Sequence, residues 1–410
     1  MMSQLAVHGG VPVREKPIAP SGERFGDEEI RLLTEVVRSQ KLNCNCGTRV
    51  REFAQSFADY MGMARGVMVT SGTAAIHCAL GAVNLNPGDE VITAPITDMG
   101  TIYPILAQNA VPIFADLDPD TLCVDPRDIE RRITAKTKAL LPVHFCGNSC
   151  DMDPILDLAK QHSLAVVEDC AQSFNAKYRD RKVGTMGDVG CFSLNQYKHI
   201  SCGDGGVAIT SDDQLHERVE LFSDKAWPRS GDRRDHRFLA PNYRVTELQA
   251  AVATAQLTKL DWITDTRRDR GDLLTTLIGN APGVRPMRVY PGGECTYWFY
   301  WLRVDEAIRA DFVSALRAEG LPATAGYIQV PVYLYDAIRE KRTYGDSHFP
   351  YGYPPFRDPA NEIEYGEGLC PVAERVLREM VRINLNEFWT EQDVRDAARI
   401  VNKVAEHYGA

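Results

Sequence analysis

Apolar residues recur along the first half of the chain in two alternating rhythms. Val50, Phe53, Ala54, Phe57 and Ala58 fall at i, i+3, i+4, i+7 and i+8, which is one face of a helix. Short apolar runs follow at residues 66–69, 91–94, 112–115, 139–143, 164–167, 191–193 and 207–210. Continuous runs of this kind read as strands covered on both faces, as parallel strands are. The apolar stretch 74–83, which contains His77, is too short to span a membrane and reads as a buried helix. Strands alternating with helical patterns predict a large α/β domain built on a mostly parallel, mixed sheet.

The rhythm changes in the second half. Thr246-Glu247-Leu248-Gln249 places a capping box before an Ala-rich run at 250–260, so a long helix is expected to start there. That helix leads into a smaller α+β C-terminal domain. In it the aromatic run 297–302 reads as a core strand, and 312–317 and 390–404 read as helices. Residues 343–358, rich in Gly, Pro and Tyr, read as an irregular loop. The expected division is 1–262 for the N-terminal segment and large domain, and 263–410 for the small domain.

Composition narrows the function classes. A chain of 410 residues that is 44% hydrophobic and 25% charged can bury an extensive core. The formal charge of -10 argues against a general nucleic-acid binder, which needs a basic footprint. Residues 1–8 lack a basic stretch leading into an apolar core, and no apolar run suggests a membrane span, so a cytoplasmic location is expected. The 11 cysteines are odd in number, and the close pairs Cys44/Cys46 and Cys146/Cys150 lack zinc-ligand spacing. Reduced structural thiols and no metal site are expected.

Three segments carry candidate chemistry. Thr70-Ser71-Gly72-Thr73-Ala74 is a small-residue turn from strand to helix, where free N–H groups and the helix dipole suit a phosphate. Ser and Thr are equally ordinary N-caps, so the turn alone decides nothing. Glu168 and Asp169 close an apolar strand, where open α/β sheets present ligand-binding residues and also ordinary solvated carboxylates. Lys198 lies between a strand and the turn Gly203-Asp204-Gly205-Gly206, and a desolvated lysine there can form a Schiff base with an aldehyde. Phosphate turn, acid and lysine in that order are the parts needed to hold pyridoxal 5′-phosphate (PLP).

These motifs, with Asn86-Pro87-Gly88-Asp89-Glu90-Val91, Gly184-Thr185-Met186-Gly187-Asp188, Asn242-Tyr243-Arg244-Val245-Thr246-Glu247 and Cys370-Pro371-Val372-Ala373-Glu374, resemble the DegT/StrS-type sugar aminotransferases of PLP fold type I through almost the whole chain. The resemblance implies that Lys198 holds the cofactor as an internal aldimine and shuttles the proton, and that Asp169 salt-bridges the pyridinium nitrogen. It also implies Gln172 beside the ring or its phenolic oxygen, and Gly72, Thr73 and Ser193 on the phosphate. Asn242 matches a residue supplied by a neighbouring subunit, which implies a homodimer with shared sites. The cofactor would alternate with its amine form, PMP.

Two departures from the family stand out. Members place an aromatic residue over the ring just after the strand near Pro95, but this chain reads Ile96-Thr97-Asp98-Met99-Gly100-Thr101. Met99 is the expected ring contact, by a softer sulfur interaction, with Tyr103 as the alternative. Asp204 stands where Glu is common. For the substrate, the resemblance implies an amino donor, glutamine or glutamate, and a ketone acceptor. Tyr327-Ile328-Gln329-Val330-Pro331-Val332-Tyr333 lacks the His of many nucleotide-sugar members, and with Gly9-Gly10-Val11-Pro12-Val13-Arg14 it is closer to the branch acting on keto-cyclitols such as scyllo-inosose, in secondary metabolism. Tyr327 and Tyr333 are the candidate substrate contacts. A nucleotide-linked keto sugar, aminohydroxybenzoate synthesis and a non-catalytic PLP-binding regulator are the alternatives. His77 and His144 read as packing or polar-network residues, and Arg229, Arg233, Arg234 and Arg237 as either an anion-attracting group or a solvated loop.

Overall fold

The apolar runs become the seven strands of one sheet in the computed structural model, which describes residues 4–229, 235–358, 360 and 362–409. In chain order they are β1 (Arg65–Val69), β2 (Glu90–Thr93), β3 (Val111–Phe114), β4 (Thr137–Leu141), β5 (Ala165–Asp169), β6 (Val189–Ser193) and β7 (Gly206–Thr210). Across the sheet the order is β1-β7-β6-β5-β4-β2-β3. Only β7 is antiparallel to its neighbours. The sheet is therefore mixed and mostly parallel, as the uninterrupted apolar runs imply. β4 stops at Leu141 because Pro142 has no N–H to continue the ladder; Val143 returns in an isolated bridge with Asp169.

Both faces of the sheet are covered. The helix Arg49–Met61 turns Val50, Phe53, Ala54, Phe57 and Ala58 inward, against Phe174, Phe192 and Val207. On the opposite face the helix Gly72–Val83 packs on Val69, Val91, Leu141 and Val167. Burial of this kind stabilises by about 25 cal/mol per Å² of apolar surface, enough to hold both layers without charge pairing between them.

A second, antiparallel sheet occupies the C-terminal part: β8 (Arg285–Pro286), β9 (Tyr300–Arg303), β10 (Ala323–Ala325) and β11 (Met380–Ile383), in the order β8-β9-β11-β10. The capping box at Thr246 and Gln249 forms, and opens the helix Glu247–Leu257. The next helix, Leu260–Ile278, runs across the expected boundary at 262/263 and packs on the terminal helix Glu391–Tyr408. The aromatic run is not one strand. Tyr297 has a φ of 43°, so the chain turns there and only Tyr300 onward joins the sheet. Residues 343–358 contain neither helix nor strand. All 11 cysteines are free thiols, and among the described residues no helix is long and apolar enough to cross a membrane.

One buried ionic cluster ties the N-terminal segment to the C-terminal part. Glu387 accepts from Arg24 Nε (2.5 Å) and from Arg267 Nε (2.8 Å). Burial alone would raise its pKa, but the two guanidinium groups more than offset this and hold it below the usual carboxylate range. Both arginines also hold backbone: Arg24 donates to the Lys198 carbonyl (2.5 Å), Arg267 to those of Tyr297 (3.0 Å) and Trp298 (2.8 Å). Glu387→Ala would strand Arg267 without its counter-charge, and removal of one buried partner costs about 3–5 kcal/mol. Urea unfolding followed by circular dichroism should show a loss of that size, and a loss under about 1 kcal/mol would contradict the cluster's role.

Candidate active site

The C-terminal ends of β1, β2, β5 and β6 converge on a cavity of about 380 Å³, lined by Gly72, Thr73, Asp98, Asp169, Ser193 and Lys198 among others. Ligands bind at this edge of open α/β sheets because backbone N–H groups and loop side chains face outward there.

The turn after β1 is built for close approach. Ser71 caps the helix Gly72–Val83, its side chain accepting from Ala74 N at 3.0 Å. The N–H groups of Gly72 and Thr73 belong to the first turn, which has no intrahelical acceptors, so they are available to an anion. A Cβ on Gly72 would lie 2.7 Å from Ser193 Cβ. Only glycine lets the turn sit against the end of β6 and places Ser193 beside these donors.

At the end of β5 two consecutive carboxylates point to opposite sides of the strand. Glu168 accepts from Gly184 N (2.8 Å), Met186 N (2.8 Å), Gly187 N (2.6 Å) and His144 Nε2 (2.9 Å). His144 Nδ1 accepts from Cys150 N at 3.1 Å, so the ring proton sits on Nε2 and faces Glu168. Cys170 lies in the same buried group, but these four donors already satisfy the carboxylate. Asp169 lines the cavity and accepts only from Ala171 N (3.0 Å) and Thr101 Oγ1 (2.7 Å), with Thr97 Oγ1 2.6 Å behind Thr101. It has no ion pair among the described residues, and burial raises its pKa. Thr101 escapes notice in the sequence because a threonine in a helix carries no signal of its own.

Lys198 is half-buried, with Nζ 4.0 Å from the centre of the Trp298 ring. Desolvation pulls its pKa down to about 8; Asp169 and Asp98 oppose this, and Arg382 adds to it. Trp298 is held by its Nε1 donating to the Tyr197 carbonyl at 2.6 Å. Gln172 binds Cys146 N through Oε1 (3.0 Å) and reaches the Tyr327 hydroxyl through Nε2 (3.4 Å). Tyr327 stacks on Phe299 with centroids 5.5 Å apart. A larger cavity of about 750 Å³ adjoins the first, sharing Tyr197 and Trp298, but it contains neither Lys198 nor Asp169. Arg382 lines it, 4.6 Å from the Phe299 ring centre, and has no hydrogen bond or ion pair among the described residues.

Several expected residues lie elsewhere. Met99 is not in the cavity wall; it opens the helix Met99–Ala107 and packs into the core, and the residue that faces the cavity is Asp98. Tyr103 points to solvent, edge-on to His77. Tyr333 is fully buried, with its hydroxyl on Glu374 (2.5 Å), so it is a core residue and not a substrate contact. Asn242 is exposed and bridges to Asp224, away from the cavity of its own chain. His77 is a network residue between Tyr243 (2.8 Å) and Gln108 (2.8 Å), its pKa lowered by burial to about 4. Arg229 pairs with Asp224. Arg233 and Arg234 lie outside the described residues. With Thr101, the cavity residues Trp298 and Asp98 and Arg382 in the adjoining cavity were not singled out in the sequence.

A fold-type-I scaffold with this cavity defines the class: a PLP-dependent aminotransferase. Residues 23–354 match the model of the DegT/DnrJ/EryC1/StrS aminotransferase family, and the chain belongs to that family. It is 35% identical to the L-glutamine:2-deoxy-scyllo-inosose aminotransferase of Streptomyces kanamyceticus, over 99% of this chain and 97% of that protein. It is 38% identical to a protein of Streptoalloteichus tenebrarius described as a putative L-glutamine:3-amino-2,3-dideoxy-scyllo-inosose aminotransferase, over 70% of each. The crystal structure of 3-amino-5-hydroxybenzoic acid synthase superposes with a TM-score of 0.83 at 25% identity, covering 96% of this chain and all of that one.

The electrostatics of Lys198 predict a pH signature. With its pKa near 8, labelling of Lys198 by a small aldehyde in the cofactor-free protein under reducing conditions should level off above about pH 8, while surface lysines continue to gain up to about pH 10. Asp169 stabilises the charged amine, so Asp169→Asn should move the Lys198 midpoint to lower pH. Peptide mapping after labelling across pH measures both, and an upward or absent shift would contradict the coupling.

Proposed function

We propose that the chain transfers the amino group of glutamine to a keto-cyclitol, using PLP held in the cavity between β1, β5 and β6. The observation that carries the reading is Asp169: a buried carboxylate with two neutral donors and no ion pair among the described residues, across the cavity from a desolvated lysine. That arrangement fits a ring whose protonated nitrogen supplies the missing charge. Gly72, Thr73 and Ser193 fit the phosphate, through the N–H groups of the helix start and the Ser193 hydroxyl. Bound there, the cofactor supplies an electron sink for the carbon that loses its proton.

The chain's own groups do the rest. Lys198 supplies an amine whose pKa near 8 lets Nζ both accept and return a proton near neutral pH. Asp169 would keep the ring nitrogen charged, and Thr101 and Ala171 hold its two carboxylate oxygens in place. Gln172 and Tyr327 line the same cavity, where they would meet the ring and the substrate. Arg382, a guanidinium with no hydrogen bond or ion pair among the described residues and set beside Trp298 and Phe299, receives the carboxylate of the amino donor. Asn242 contributes to the site of a second copy, in a homodimer.

The keto-cyclitol acceptor is supported by the names of full-length relatives at 33–35% identity. The test pairs glutamine and glutamate with 2-deoxy-scyllo-inosose, 3-amino-2,3-dideoxy-scyllo-inosose and nucleotide-linked keto sugars, following amine product by mass spectrometry. Transfer from glutamine to a keto-cyclitol is expected, and Lys198→Ala should lower it by about 10²–10⁴-fold. Transfer only to nucleotide sugars, or to none, would contradict the reading.

A further inference from the structure

In the segment 96–101, where Met99 was the expected ring contact, the side chain that faces the cavity is a carboxylate, Asp98. Asp98 is the residue before the helix Met99–Ala107, and its Oδ1 accepts from Gly100 N at 2.7 Å. That bond fixes the side chain and leaves the second oxygen uncommitted. Asp98 is exposed within the cavity and has no ion pair among the described residues. Its charge reaches Lys198, Tyr327 and Tyr335, so it acts across the space where substrate must lie.

Most of the other charges of the cavity are spoken for. On the reading above, Asp169 is matched by the ring nitrogen and Lys198 is occupied by the cofactor. Asp204 is engaged by Asn195 Nδ2 at 2.9 Å. The donor's carboxylate goes to Arg382. Asp98 and Asp204 both line the cavity with one neutral donor and no ion pair among the described residues, but of the two only Asp98 acts on Lys198 and Tyr327, in the part of the cavity where a charge-assisted hydrogen bond is strong. Such a group repels a phosphate-bearing acceptor and gains most from one that brings its own cation.

We infer that Asp98 selects an acceptor ketone that already carries an ammonium group, so that the preferred substrate is an amino-keto-cyclitol and not the nitrogen-free one. The inference rests on the keto-cyclitol reading and sharpens it. It also places the reaction after an earlier amination in a sequence that installs two amines on one ring.

Asp98→Asn tests this, because Asn caps a helix as well as Asp and changes the charge alone. With glutamine as donor, kcat/KM for 3-amino-2,3-dideoxy-scyllo-inosose and for 2-deoxy-scyllo-inosose is measured in the wild type and the variant. The wild type should prefer the amino ketone, and in the variant the ratio of the two kcat/KM values should fall about tenfold, or by about 1.4 kcal/mol. Calorimetric binding of an aminocyclitol and of a nitrogen-free cyclitol gives a second readout: only the first should weaken in the variant, and only its affinity in the wild type should fall with added salt. Equal turnover of both ketones by the wild type, or equal losses on both, would overturn the role of Asp98 while leaving the keto-cyclitol reading intact. Wild-type turnover of neither would overturn both.

Discussion

A carboxylate taken out of water has to be matched, and β5 presents two in succession that are matched in opposite ways. Glu168 is given four donors from its own chain and has nothing left to offer. Asp169 is given two neutral ones, and its remaining demand is for positive charge. The difference follows from alternation along a strand, which turns one side chain toward the loop 184–187 and the next toward the cavity. A structural carboxylate and a functional one thus occupy adjacent positions, and the first anchors the strand end on which the second is carried.

The rest of the site is organised around that demand. Close packing of Gly72 on Ser193 brings an anion-binding helix start to one side of the cavity, and Lys198 approaches from the other. Lys198 is poorly solvated because Trp298 covers it, and Trp298 stays in place because Arg267 and Tyr197 hold its backbone carbonyl and indole. The linkage therefore reaches from Glu387, in the C-terminal part, through two arginines to the backbone carbonyl of the lysine itself and to that of Trp298, which covers it. Asp98 and Arg382 add one charge of each sign at the cavity margins, which suits a site that must hold two different substrates in turn.

The sheet was legible in the sequence because its strands are buried on both faces and so read as unbroken apolar runs. The helices at Arg49–Met61 and Glu247–Leu257 were legible for a similar reason, one from its apolar stripe and one from its capping box. Asp169, Lys198 and the turn at Gly72 could be named because an acid, a lysine and a phosphate turn stand in the order a PLP site needs, and Ser193 through the family resemblance. Trp298 could not: a positive φ at Tyr297 breaks what reads as one aromatic strand and turns the indole to the cavity, and φ leaves no trace in residue order. Met99 was expected at the ring for its sulfur, with Tyr103 as the alternative, but the helix begins at Met99, packs it against the core and leaves Asp98, its N-cap, facing the cavity. Tyr333 matched a motif, yet the packing of Phe114 and the hydrogen bond to Glu374 keep it inside.

The most direct measurement is the protonation of the cofactor's ring nitrogen, read from the ¹⁵N chemical shift of ring-labelled PLP bound to the protein. If Asp169 is the carboxylate that lacks a cation, the nitrogen should remain protonated in the wild type from roughly pH 6 to 9 and lose its proton in Asp169→Ala. A nitrogen that is protonated equally in both proteins, or in neither, would contradict the central role given to Asp169.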